Sequence, residues 1–404
     1  MSVNKSIPRL PDEIAIEIFR NRVLTPLDLA NCALASRRWV EPVRELLYES
    51  IKVVVMEDLG SSVEDEDSDE QQEEEDVLEM AYSNATWRLL RSLLENKEFG
   101  KLVRELKVSF EQNYDSRHYP DHSAVATTPS QALSTFLCLA PKTTQVTLKG
   151  HHPDTVDTLR KLARYKNIEG LSVRSAEYAE VDLIAEELGH LRRLEVWHLP
   201  KDRPTQLGSF PSNLDTLVLL GGRPESLLAL LSPNTATLRS LTININAALD
   251  VTYSKFPQLS SLTLCCLLGK LDGAMENEVS TNHFKFWQSL CDSPSLVTLS
   301  FKSFNGSQND HFSSIFSGSS AYPDKSIPTL RTIRFVDYTF LDRIQFLLSS
   351  PLAKTLHRVV LPWIWTREAA YGGEMKTRAV VGMCEKSGIQ VCAGVEEMSF
   401  HYFL

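Results

Sequence analysis

The sequence predicts an α/β chain: a short three-helix N-terminal segment, an acidic insert, and a long irregular solenoid of repeats with a curved parallel sheet and outer helices. Three observations predict it. A pattern of the form apolar-x-x-apolar-x-apolar recurs from Val103 to Leu356. Stretches of helical period lie between many of the copies. One run, EDLGSSVEDEDSDEQQEEEDVLE from Glu57, separates the helical start from the repeats.

The first part spans residues 1–51. After Pro11, the apolar positions Ile14, Ile18 and Phe19 fall at helical spacing. Asp12 and Glu13 sit in the first turn, where the helix dipole favours them. A turn at Thr25-Pro26 precedes a second helix opened by Leu27-Asp28-Leu29. Leu34, Trp39 and Val43 are read as one third helix ending near Tyr48, with Ser36 as a candidate cap. The IKVVV that follows reads as a strand.

The second part spans residues 57–83. The quoted run holds thirteen acids and no Lys or Arg. The whole chain has a net charge of −10, so the remainder is near neutral or slightly basic. Like charges repel and little apolar surface offsets the ordering entropy, so disorder is expected. The run reads as a solvated linker, or as a partner for a basic rim at Arg160, Lys161, Arg164 and Lys166. Ser61, Ser62 and Ser68 lie beside acids and are candidate phosphorylation sites.

The third part spans residues 87–404. IEGLSVRS, LRRLEVWHL, LDTLVLL, LRSLTININ, LSSLTLCCL, LVTLSFKSF, LRTIRFVDY and LHRVVLPW share the pattern. VRELKVSF and TTQVTLKG are weaker copies. The last two apolar positions alternate with other residues, as on a strand with one buried face. The central intervals are about 21–24 residues, the length of a leucine-rich repeat. One such unit cannot bury its face alone, whereas stacked units share a core. The final EMKTRAVVGMCEKSGIQVCAG reads as helix, glycine turn and strand, a last unit or cap.

Strand positions facing away from that core are candidates for contact with a target. They are Ser172 and Arg174, Glu195 and Trp197, Val218 and Leu220, Thr242 and Asn244, Thr263 and Cys265, Ser300 and Lys302, and Arg334 and Val336. Arg174, Glu195, Trp197, Leu220, Asn244, Lys302 and Arg334 are the substrate-contact set. Trp197 stands out because an exposed Trp favours binding hot spots. Trp363 and Trp365 are read as closing the end of the core.

The N-terminal segment resembles the F-box. The matching residues are Leu10-Pro11-Asp12-Glu13-Ile14, Ile18-Phe19, Asp28-Leu29, Leu34, Ser36-Arg37-Arg38-Trp39 and Leu47-Tyr48. Residues 20–26 form a link slightly longer than the family's. The resemblance implies docking on the Skp adaptor of an SCF-type cullin–RING ubiquitin ligase, through Leu10, Pro11, Ile14, Ile18, Phe19, Leu29, Leu34 and Trp39. The whole chain resembles F-box proteins with C-terminal leucine-rich repeats, of the divergent kind found in fungi. That implies a non-catalytic substrate receptor whose partners are the adaptor, through it cullin and RING subunits, and an unknown protein target. Two alternatives stay open: an adaptor-bound scaffold without ubiquitination output, and a plain repeat interaction module whose N-terminal helices cap the solenoid.

No enzyme is expected. His151-His152 lacks metal-ligand spacing, Gly221-Gly222 reads as a turn, and there is no G-x-S-x-G, phosphate loop or dinucleotide fingerprint. Catalytic residues, metal ligands and cofactors are therefore none, and neither nucleic acid nor membrane is an expected partner. The seven cysteines form no C-x-x-C pair and read as small buried hydrophobes. The Asn84 and Asn305 sequons carry no weight without a secretory route. MSVNKSIPRLPDE has no apolar leader, so a cytoplasmic or nuclear location is expected.

Overall fold

The structure, a computed structural model, describes residues 26–58, 79–112, 127–150, 155–175, 183–184, 186–198, 213–220, 231–244, 248, 251–266, 279–303, 326–336, 341–361 and 373–393. The chain divides into two units, Met1–Leu171 and Ser172–Leu404.

Among the described residues the first unit starts with α1 (Pro26–Ala35), a 3-10 turn at Arg37–Trp39 and α2 (Val40–Glu49). Then come β1 (Ser50–Asp58), β2 (Glu79–Tyr82), α3 (Asn84–Glu95), α4 (Lys97–Gly100) and β3 (Glu105–Gln112). α5 (Pro129–Leu139), β4 (Gln145–Lys149) and α6 (Thr155–Leu162) follow, and β5 (Gly170–Ser175) starts in the last two residues of the unit. β1 pairs antiparallel with β2 and parallel with β3, and β3 pairs parallel with β4. The period-two alternation sets the core. Ile51 and Val53 of β1 stand opposite Leu106 and Val108 of β3, which stand opposite Val146 and Leu148 of β4. All six are buried. Leu90 and Leu93 of α3, Phe136 of α5 and Leu159 of α6 are buried as well.

Local chemistry fixes the helix ends. Thr128 and Gln131 form a reciprocal capping box at the start of α5, with Pro129 in the first turn, where its missing N–H costs nothing. Ser83 accepts from the Thr86 amide at the start of α3, and the Thr86 hydroxyl accepts from the Val54 amide, tying helix to strand. Gly100 ends α4 where a Cβ would lie 1.9 Å from the Leu139 carbonyl oxygen, so only glycine fits the approach.

The second unit holds β6 (Arg193–His198), β7 (Thr216–Leu219), β8 (Ser240–Asn244), β9 (Ser261–Cys266), β10 (Thr298–Ser303), β11 (Thr332–Phe335), β12 (Arg358–Leu361) and β13 (Gln390–Ala393). They pair in chain order, every neighbour parallel. The register stacks like on like. Leu194, Leu217, Leu241, Leu262, Leu299, Ile333 and Val359 form one continuous row. Val196, Leu219, Ile243, Leu264, Phe301 and Phe335 form a second, with Phe301 and Phe335 stacked at 5.5 Å. Each residue in both rows is buried. At roughly 1.5–3 kcal/mol per buried side chain, this shared burial is what a lone strand lacks. The helices α7 (Val279–Cys291), α8 (Leu341–Ser349) and α9 (Gly373–Lys386) lie between strands. Phe286 and Trp287 of α7, Ile344 and Leu347 of α8 and Val380 of α9 are buried.

A polar device accompanies each step from β6 to β12. One carbonyl accepts two successive amides of the next unit: Arg192 from Asp215 and Thr216, Asp215 from Arg239 and Ser240, Arg239 from Ser260 and Ser261. Ser260, Val297 and Arg331 repeat it. A hydroxyl just before the leading Leu adds a link backwards. Thr237 donates to Leu214 O, Ser295 to Leu259 O and Thr329 to Leu296 O, at 2.8–2.9 Å.

All ten copies of the sequence pattern contain a strand, and the α/β class holds. Helix, glycine turn and strand follow one another at residues 373–393: α9 stops before Gly388 (φ +69°), where Ile389 N donates to Cys384 O and Gly388 N to Glu385 O, the paired bonds of a left-handed helix stop. Three expectations need correction. Leu34, Trp39 and Val43 do not share a helix: Leu34 closes α1, Ser36 is extended (φ −153°, ψ 126°), and α2 starts at Val40. Ser36 makes no side-chain cap bond. Both ends of the acidic segment are ordered, since Glu57 and Asp58 pair with Met80 and Glu79. Residues 59–78 lie outside the described part.

Candidate functional site

Among the described residues, the helical start of the first unit exposes an apolar side chain that its own fold does not use. α1 begins with Pro26, and Asp28 sits in its first turn. Leu29, Pro42 and Val43 are buried. Leu34 is 85% exposed, whereas most of the other described leucines are buried. Trp39 is half-buried. α2 is held from behind: Tyr48 stacks on Phe99 at 4.6 Å, and the Arg44 guanidinium lies 5.2 Å above the same ring while pairing with Glu41. Arg104 N donates to Glu49 O at 2.8 Å and the Ser50 hydroxyl to Glu105 Oε2 at 2.7 Å, anchoring the helix end to the sheet. Of the expected adaptor set, the structure describes Leu29, Leu34 and Trp39. Leu10, Pro11, Ile14, Ile18 and Phe19 lie outside the described residues.

α3 adds two exposed apolar residues that the sequence reading did not single out. Trp87 is 41% and Leu94 57% exposed. The signal was in NATWRLLRSLLE: Trp87, Leu89, Leu90, Leu93 and Leu94 exceed what one helix face can bury.

On the sheet of the second unit, the expected contact residues fall into rows. Glu195, Val218, Thr242, Thr263, Ser300 and Arg334 are successive register partners. Asn244, Cys265 and Lys302 form a second row. Glu195 is half-buried and ion-paired with Arg193, while Asn244, Lys302 and Arg334 are half-buried. Arg174 on β5 is exposed. Trp197 is half-buried rather than exposed. Leu220 is fully buried. β7 stops at Leu219, so strand alternation no longer governs the next residue, and Leu220 N donates to Val196 O. Cys265 and Ser300 are buried as well. Trp363, Trp365, His151, His152, Gly221 and Gly222 lie outside the described residues.

Titratable groups with displaced equilibria are structural. Hydrogen bonds from Lys161 and Ser130 lower the Asp157 carboxyl. Burial raises the Tyr253 phenol, whose hydroxyl donates to Ala248 O, and pushes the Cys384 thiol up to about 11. Burial, then the hydrogen bond with Cys138, raises Tyr165. None of these converges with another on a cleft. No helix among the described residues is long and apolar enough to cross a membrane.

The described part of the chain is an α/β architecture whose helical start leaves Leu34 in solvent. The F-box-like family model matches residues 7–53, covering α1, α2 and the first strand residues. The chain thus carries an F-box-like domain. No curated protein matches the chain.

Proposed function

We propose that the protein is the substrate-recognition subunit of an SCF-type cullin–RING ubiquitin ligase. The F-box-like domain docks on the Skp-type adaptor, which brings cullin and RING subunits, and residues 87–404 form a leucine-rich-repeat solenoid that binds the target protein. The chain itself is non-catalytic. It raises the effective concentration of target lysines near a charged conjugating enzyme. The observation that carries the reading is the match of residues 7–53 to the F-box-like family together with Leu34, 85% exposed on α1. Leu10, Pro11, Ile14, Ile18, Phe19, Leu34 and Trp39 are the adaptor contacts in this reading, while Leu29, expected among them from the sequence, is buried and packs inside the module. Stacked parallel strands with like residues in register support the repeat reading.

The test is binding of the purified chain to the Skp adaptor, beside Leu10→Ala/Pro11→Ala and Leu34→Asp variants. The expected result is a stable complex with the wild type and binding weakened about tenfold or more in each variant, at unchanged melting temperature. A folded wild type that does not bind the adaptor overturns the ligase reading.

A further inference from the structure

Hydroxyl side chains in the second unit divide into two groups. Five in the links between strands are spent: Thr237, Ser260, Ser295, Thr329 and Thr355 each donate to a backbone carbonyl. Those on the sheet face are not. One row of register partners runs Thr216, Ser240, Ser261, Thr298 and Thr332 across β7 to β11. Two residues further along the strands, Thr242, Thr263 and Ser300 continue the face beside Val218. Within the described chain none of these eight hydroxyls makes a side-chain hydrogen bond. Seven of these residues are half-buried and Ser300 is 5% exposed, and none of the eight hydroxyls is shut off from solvent.

The fold does not need these groups. Val would serve the strands as well as Thr, and Ser brings neither β-branching nor apolar burial. What these hydroxyls offer a ligand is specific: each is both donor and acceptor, and each is short, so a backbone can approach the sheet closely. Charge narrows the ligand further. Between Glu195 and Arg334 the second row reads Val218, Thr242, Thr263 and Ser300, without a charge. Phosphate and carboxylate groups call for arginine or lysine partners, and on the described face these stand at its margin, Lys302 beyond Ser300 on β10 and Arg334 on β11. Five strands at ~4.8 Å spacing span ~19 Å, the length of about six extended residues.

We propose that this face binds an extended, unphosphorylated protein segment of about six residues whose contacting side chains are uncharged hydrogen-bonding groups, carboxamides and hydroxyls. Calling that segment the target rests on the receptor reading above; the binding itself does not. The full chain is used to select from a displayed library of random 12-residue peptides, and enriched peptides are then synthesised in parent, Asn→Asp and phosphoserine forms for fluorescence anisotropy. The comparison proteins are Thr242→Val/Thr263→Val/Ser300→Ala, which keeps shape and removes three face hydroxyls, and Thr329→Val, which removes a link hydroxyl. The expected result is enrichment in Asn, Gln, Ser and Thr, affinity about tenfold or more lower for the triple variant, and little change for Thr329→Val. Charged forms of the peptides are expected to bind worse than the parents. Enrichment of acidic sequences, or tighter binding of the phosphoserine or Asn→Asp forms than of the parents, overturns the proposal. So does equal binding to the triple variant, or no enrichment by a chain whose melting temperature shows it folded. Adaptor binding is measured on the same preparations, so that its loss with peptide binding intact overturns the receptor reading alone.

Discussion

The helical start and the strand stack treat the same residue type in opposite ways. Leu34 on α1 stands almost wholly in solvent, while Leu194, Leu217, Leu241, Leu262 and Leu299 sit in an unbroken row without measurable exposure. Both regions are rich in leucine. What differs is whether the next unit supplies a neighbour. In the stack, each strand closes the face of the one before it. At α1, no following unit repeats the helix, so a surface remains that a partner can complete.

That contrast can be broken most severely in the stack. Leu262→Ala removes a side chain paired in register with Leu241 and Leu299 and should cost about 2–5 kcal/mol, measured by chemical denaturation. A loss below about 1 kcal/mol means the row is not close-packed. Next comes the polar link. Thr329→Val deletes the bond to Leu296 O and should cost about 1 kcal/mol, whereas Thr263→Val on the sheet face should stay within about 0.5 kcal/mol. Equal costs for the two would erase the distinction between spent and available hydroxyls. Thiol chemistry reads the same division without mutation. Cys384 is buried with its thiol pushed up to about 11, so at pH 8 it remains protonated and should resist alkylation in the native chain, while exposed Cys138 reacts first. Peptide mapping after brief iodoacetamide treatment checks the order. The smallest stability effect is expected at Leu34→Ala, within about 0.5 kcal/mol, because there is little burial to lose.

The strands were legible because their signal is redundant. Every copy of the pattern places two apolar residues on one face of a strand, and neighbouring copies agree. The helices near the start were legible in kind but not in extent. Leu34 and Trp39 lie at a spacing compatible with one helix, and only the extended backbone at Ser36 separates them. The acidic segment was misread at its edges, because pairing of Asp58 with Glu79 is a tertiary choice that local charge does not reveal. Leu220 shows the limit of alternation: the period holds along a strand and lapses one residue past its end. The sheet-face hydroxyls could be placed by pattern, since Thr242 and Thr263 were expected to face away from the core. That their hydroxyls are unpaired, and those of Thr237 and Thr329 are not, needed coordinates.

The doubled carbonyl joints at Arg192, Asp215, Arg239, Ser260, Val297 and Arg331 have a consequence for how such a chain can vary. Each joint fixes where the next strand begins, and its atoms lie in the first strand residue and the residue just before it. Leu238 and Leu259 are 21 residues apart, Leu259 and Leu296 are 37 apart, yet β8, β9 and β10 keep one register. Insertions can therefore lengthen any excursion without shifting the sheet. Such a lineage is free to remodel its outer surface loop by loop while the scaffold that presents it stays in frame.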